Sequence, residues 1–278
     1  LNEIQREDYM NGKKVLFVSS EVIPYLPNND ISSLTYALPK MVNENGGQTR
    51  IFIPKYGIIN ERRHQLHEVI RLSGMNLIID DLDMPLIIKV ASIPKERMQV
   101  YFIDNEEYFK DRALHESENK KLYSDNDERA IFFAKGVVET IKKLNWTPDI
   151  IHVHGWIAAL LPLYMKEYYK NEPIFKNTKV VVSLYENDIA GKLNSKIVKK
   201  IQFDEVNGDT LKILEKSTYS SLFKNAILNS DGIVFAGDNV DESLVDMANK
   251  TKKPVLNCGF KDGFKKEYLN FYSNEILD

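Results

Sequence analysis

Apolar residues fall along this chain in two rhythms. Unbroken apolar runs at 14–19 (KVLFVS), 50–54, 150–153, 179–184 and 232–235 predict strands buried on both faces, with a last short strand over 253–256. Between them, apolar positions three and four apart predict helices over 34–45, 125–144, 157–169, 210–227 and 240–249. Ser32 or Ser33 is the expected cap of the first helix, Gly46 and Gly47 its stop, and Asp238 the cap of the last. Strands alternating with helices predict an α/β fold with a mostly parallel sheet and right-handed crossovers. Residues 61–104 break the alternation. Extended runs at 66–72, 75–79, 86–93 and 99–103, separated by turn residues, predict a small antiparallel hairpin excursion. Residues 104–124 and 185–209 read as surface loops.

Length bounds the architecture. The chain has 278 residues, 43% hydrophobic and 28% charged, enough for one large α/β core. The expected layout is an N-terminal tail at 1–12, a domain at 13–257 and a helical C-terminal tail at 258–278. The net charge of −3, mixed along the chain, argues against nucleic acid as a partner. The single cysteine, Cys258, excludes an internal disulfide and a cysteine-rich zinc site, and points to a reducing cytoplasm. No run of about 18 apolar residues suggests a membrane span. The polar start, LNEIQREDYMNGKK, is not a signal peptide. It opens on Leu rather than Met, which implies a residue missing ahead of it. The polar, helix-like end reads as a natural terminus.

The stretch TPDIIHVHGWIAALLPL, residues 147–163, is where site chemistry is expected. A buried strand runs into a glycine turn and then a helix, and parallel sheets open their ligand crevices at such carboxyl ends. His152 and His154 project to one side, but no further ligand at zinc spacing accompanies them, so core or crevice-wall histidines are expected and no metal. Phosphate-loop and nucleophile-elbow patterns are absent. Among many carboxylates, including Asp104, Asp125, Asp127 and Asp188, Glu21 stands out because it lies just past the first strand.

Several stretches together resemble the bacterial glycogen and plant starch synthases. They are KVLFVSSEVIPY (14–25), ALPK (37–40), RIFIPKYG (50–57), VYFIDNEEYFKDR (100–112), DNDERAIFFAKGVVETIKKLNWTPDIIHVHGW (125–156) and LFKNAILNSDGIVFAGD (222–238). They occur in the family's order over most of residues 13–257. The resemblance implies a single Rossmann-like domain, like the N-terminal half of a GT-B glycosyltransferase. In that family the N-terminal half holds the glucan acceptor side, and the other half holds most of the nucleotide-sugar site. It implies no cofactor. It implies an α-glucan as partner, with a separate C-terminal glycosyltransferase half or another protein beside it.

Glu21, His154 and Trp156 survive at the family's functional positions. Others are altered. Pro27 replaces a lysine that sits near the donor phosphates, Asn29 and Asp30 replace two glycines, and Ser33 replaces an aspartate. Where the family has His-Asp-Trp-His, this chain has His154-Gly155-Trp156-Ile157, so the second histidine is an apolar Ile157. Tyr185 and Glu186 replace a His-Asn pair. Losing one aimed donor costs roughly 100-fold or more in rate. The expectation is therefore a glucosyltransferase-family domain that is weak or inactive alone, a pseudoenzyme. Two alternatives remain. One is a non-catalytic regulatory or interaction protein docking through Phe260, Phe264, Tyr268, Phe271 and Tyr272; those aromatics read more simply as a helix closing the core. The other is a small-molecule binder using Glu21, Asp30 and Glu186.

Overall fold

The run at 14–19 becomes β1 (Lys14–Ser19), and its burial places it at the centre. Val15 to Val18 expose nothing, which requires cover on both faces. The computed structural model describes residues 9–186, 189 and 191–278; Asp188 and residues 1–8 lie outside them. In it β1 pairs in parallel with β2 (Gln48–Pro54) and, on its other side, with β7 (Ile150–His154). The hairpin excursion is β3 (His67–Glu68), β4 (Met75–Ile79) and β5 (Leu82–Ser92), which pairs antiparallel with β6 (Gln99–Asp104). β6 returns parallel to β2. Beyond β7 come β8 (Lys179–Leu184), β9 (Gly232–Phe235) and β10 (Val255–Asn257), all parallel. The sheet order is β10-β9-β8-β7-β1-β2-β6-β5-β3, with β4 on β5. This is the expected mostly parallel α/β sheet with an antiparallel excursion.

Helix α1 (Asp30–Glu44) begins four residues before the predicted 34, and its cap is Asn29 rather than Ser32 or Ser33. Asn29 Oδ1 accepts the Ser32 N–H at 2.8 Å and Ser32 Oγ accepts the Asn29 N–H at 2.9 Å, a reciprocal capping box. Two short helices, α2 (Glu61–His64) and α3 (Glu106–Phe109), interrupt regions read as extended or loop. Helix α4 (Asn126–Leu144) matches its prediction, and Ile131, Phe132, Val137, Val138 and Ile141 are buried along it. Fully burying one such side chain contributes roughly 1.5–3 kcal/mol.

The segment predicted as a helix over 157–169 is broken. It holds a 3-10 turn at Trp156–Ala158, α5 (Leu161–Leu163) and a π-turn at Tyr164–Tyr168. Residues 157–164 are buried all round, so the sequence carries no one-sided period there, and Pro162 removes a backbone donor. Helix α6 (Ile197–Phe203) lies within the stretch read as a polar loop. Lys200 fastens it to α4 through Asp127 (2.7 Å) and Glu128 (2.6 Å). The predicted helix over 210–227 divides at Ser217, whose φ of +53° ends a 3-10 segment. Thr218 and Ser221 then cap α7 (Tyr219–Asn229) reciprocally. Helix α8 (Glu242–Thr251) is capped by Asp241, not Asp238.

The tail forms α9 (Phe264–Asn270) and a π-turn at Phe271–Ile276. Tyr268, Phe271 and Tyr272 are wholly buried, so these rings close the core and offer no docking surface. The close approach depends on Gly232 in β9, where a Cβ would run into Ile276 Cδ1 and come within 3.1 Å of Phe271 Cζ. Among the described residues no helix is long and apolar enough to cross a membrane.

Candidate active-site crevice

Strand order reverses at β1. The chain moves outward through β2 and β6, then returns to β7 on the other side. Connections leaving the carboxyl ends of β1 and β7 therefore diverge, and a crevice opens between them. Its volume is about 350 Å³, and its lining includes Glu21, Asn29, Asp30, Trp156, Tyr185 and Glu186.

The β1 side is fixed by hydrogen bonds. Ser19 Oγ accepts the Glu21 N–H at 3.1 Å and donates to the Glu21 carbonyl at 2.8 Å, while Thr35 Oγ1 in α1 donates to Ser19 Oγ at 2.9 Å. Glu21 is thereby turned inward and is only 7% exposed. Asn29 Nδ2 donates to Glu21 Oε2 at 2.7 Å. Burial pushes the Glu21 carboxyl above its usual range, and the Asn29 hydrogen bond opposes that. Asn29 thus serves two purposes, capping α1 and holding Glu21.

The β7 side carries the two histidines, their rings 4.1 Å apart. Both nitrogens of His152 are engaged, Nδ1 with Tyr272 Oη at 2.6 Å and Nε2 with Ser183 Oγ at 2.8 Å. No nitrogen of His152 is left for a metal, and the described residues contain no cluster of three metal-ligating side chains. His154 is wholly buried and does not line the crevice. Its Nδ1 bonds Tyr185 Oη at 2.7 Å, and Tyr185 itself lines the crevice. Burial lowers the His154 pKa to about 3, so the ring is neutral, and its Nε2 has no partner.

After β7 the backbone turns sharply at Gly155, with φ of +79°. A Cβ there would lie 2.8 Å from Ser20 Cβ and nearer still to Ser20 Oγ. Glycine is therefore what lets the two crevice strands close up at Ser20, whose N–H donates to the His154 carbonyl at 3.0 Å. Trp156 follows, 4% exposed, its indole N–H buried without a partner and its side chain on the crevice lining.

The third wall is the 104–124 segment, held by one buried arginine. Arg129 in α4 donates through Nε to the Tyr108 carbonyl (3.0 Å), Nη1 to Leu114 O and Asn126 Oδ1 (2.9 and 2.8 Å) and Nη2 to Ala113 O (2.9 Å). Asn126 Nδ2 donates to the His115 carbonyl at 2.8 Å. Leu114 and His115 are thus pinned at the crevice, where burial lowers the His115 pKa.

Of the residues singled out in the sequence, the crevice gathers Glu21, Asn29, Asp30, Gly155, Trp156, Tyr185 and Glu186. It excludes Pro27, Ser33, His154 and Ile157, the last wholly buried in the core. Leu114, His115 and Phe223 on its lining, and Arg129 behind that lining, were not anticipated. Only Arg129 left a trace, as a charge beside the apolar face of α4.

Residues 14–246 match the family model for the starch synthase catalytic domain. The chain belongs to that family. Glycogen synthases are among its relatives. That of Chlorobium luteolum is 38% identical over 200 residues, covering 70% of this chain and 40% of that protein. That of Chlorobaculum tepidum is 36% identical over 255 residues, covering 91% of this chain and 50% of that protein. The chain thus spans half or less of the length of these relatives. The catalytic domain of Starch Synthase IV from Arabidopsis thaliana, solved bound to ADP and acarbose, superposes with a TM-score of 0.71 at 17% identity over 89% of this chain and 52% of that one. It establishes the shared fold. This starch synthase-type domain therefore corresponds to the N-terminal part of such a synthase.

Proposed function

We propose that this domain forms the acceptor side of an α-glucan glucosyltransferase, and that these 278 residues alone transfer glucose weakly or not at all. The crevice lining carries the proposal. Among the described residues it contains the carboxylates Glu21, Asp30 and Glu186 and the rings of Trp156, Tyr185 and Phe223, but no lysine or arginine. Carboxylates accept hydrogen bonds from sugar hydroxyls, the free Trp156 N–H offers a donor, and aromatic rings pack against sugar faces. A nucleotide diphosphate needs cations or aimed amides, and here it would meet carboxylates.

The reaction joins glucose from a nucleotide sugar to the end of a glucan, with the nucleotide diphosphate leaving. Here the glucan end would lie over Trp156, with hydroxyls on Glu21 and Glu186. His154 would support this wall from beneath, through Tyr185. The cations for the leaving diphosphate would come from a separate C-terminal half or from another protein. A cytoplasmic location suits the one free thiol, the buried Cys258.

The test is direct. The purified 278-residue protein is incubated with ADP-glucose or UDP-glucose and glycogen, and incorporated glucose is counted. Little or none is expected. Robust incorporation would overturn the inactivity, and failure to retain any α-glucan would overturn the acceptor-side role.

A further inference from the structure

A second cavity, of about 460 Å³, opens at the opposite, amino-terminal edge of the sheet. It forms where the chain enters β8 at Thr178, β9 at Asp231 and β10 at Lys253. Its lining carries four lysines, the reverse of the crevice.

Lys253 Nζ donates to the Ile227 and Leu228 carbonyls, both at 2.8 Å, in the last turn of α7. Lys166 Nζ reaches the same Leu228 carbonyl at 3.5 Å. Two ammonium groups on one carbonyl oxygen repel each other. Burial first, and the charge of Lys166 second, lower the Lys253 pKa to about 8. Asp231 acts in the opposite sense, but its carboxylate is engaged by the Val180 N–H at 2.8 Å. Among the described residues no carboxylate forms an ion pair with Lys253 or Lys166, whereas Lys170 leans on Glu167 at 3.8 Å.

Capping accounts for one of these lysines, since a cation at a helix C-terminus meets orphan carbonyls and the negative end of the dipole. It does not account for the second ammonium on the same oxygen. Asn229 adds an independent feature. Its side-chain oxygen is buried without a partner, the residue is 5% exposed, and it lines the same cavity. A buried acceptor of this kind calls for an O–H or N–H.

We propose that this cavity binds a small phosphorylated, hydroxyl-bearing molecule, with Lys253 and Lys166 on the phosphate and Asn229 accepting a hydroxyl. The volume suits a metabolite. The site lies across the sheet from the crevice and does not rest on the proposed glucan role.

Calorimetric titration of the 278-residue chain with glycerol 3-phosphate, inorganic phosphate and glycerol, at constant ionic strength, tests it. Saturable binding of both phosphates is expected, tighter for glycerol 3-phosphate, and none for glycerol. Lys166 is exposed, so Lys166→Gln should fold normally and weaken binding by roughly tenfold, the loss of one charged hydrogen bond. Lys212→Gln, which removes an exposed lysine elsewhere, should bind as the parent does. Absence of saturable binding, or equal affinity in the parent and Lys166→Gln, would overturn the site. Equal affinity for inorganic phosphate and glycerol 3-phosphate would overturn the Asn229 contact.

Discussion

Single residues decide how the crevice closes. Gly155 combines a positive φ with contact against Ser20, so Gly155→Ala incurs both backbone strain and a clash. Urea denaturation should show a loss of about 2 kcal/mol or more. Pairing it with Ser20→Gly should recover part of that by removing the clash. The histidines set a pH dependence. Burial depresses the folded-state values of both His152 and His154, the latter to about 3, below the unfolded value near 6.5. Their contribution is complete above pH 6.5 and is lost as pH falls, because the unfolded chain takes up protons first. Each should cost about 1.4 kcal/mol by pH 5.5. Glu21, shifted upward, works in the opposite direction at the lower end of that range. Stability measured at pH 7.5 and 5.5 should therefore fall in the parent, and fall less in His154→Asn. Gly155 was legible as a turn, but Ser20 as the reason for it was not, since that contact joins strands 135 positions apart.

At the scale of elements, two fastenings matter more than their sequences suggest. Arg129 ties the 104–124 segment to α4 through carbonyls of Tyr108, Ala113 and Leu114. Arg129→Met would leave those acceptors buried and unpaired, at a cost of about 3 kcal/mol or more. Hydrogen exchange should quicken through residues 108–115 before the rest of the chain. The tail is fastened at Tyr272, whose hydroxyl meets His152 Nδ1. Tyr272→Phe should cost about 1–2 kcal/mol, seen as a lower urea midpoint with an unchanged slope. The strands were legible because continuous apolar runs have one simple meaning in a parallel sheet. Helices were legible where polar side chains broke the apolar run, as Arg129 and Lys135 do in α4 although residues 129–138 are all buried. The 157–169 segment, buried all round over 157–164, hid its breaks, and α6 hid because its lysine is spent on a contact with α4 rather than on solvent. Local hydroxyl and amide caps at Asn29 and Thr218 were present in the sequence, but several neighbouring polar residues could have served equally well.

For the whole molecule, the two cavities have opposite character, carboxylates at the carboxyl edge of the sheet and lysines at the amino edge. A ligand at 100 times its dissociation constant adds about 2.7 kcal/mol, worth roughly 5 °C in melting temperature for a chain of this size. Saturating acarbose should produce such a rise, and Glu21→Gln should reduce it. ADP should produce little. A larger shift with ADP than with acarbose would reverse the assignment of the crevice. The family relation and the parallel sheet were legible in the sequence. The side of the crevice to which each altered residue falls was not, because Ile157 and Pro27 left the lining while Tyr185 came into it. The sheet also limits how another protein can join this one. At one end the outermost strand, β10, is three residues long, while at the other end β3 and the five-residue β4 both lie on β5. The β10 stub exposes too few free amide and carbonyl groups to template an incoming strand. At the β10 end, therefore, the sheet is poorly suited to growth by strand addition, and a companion half arriving there would meet the domain across the crevice rather than by extending the sheet.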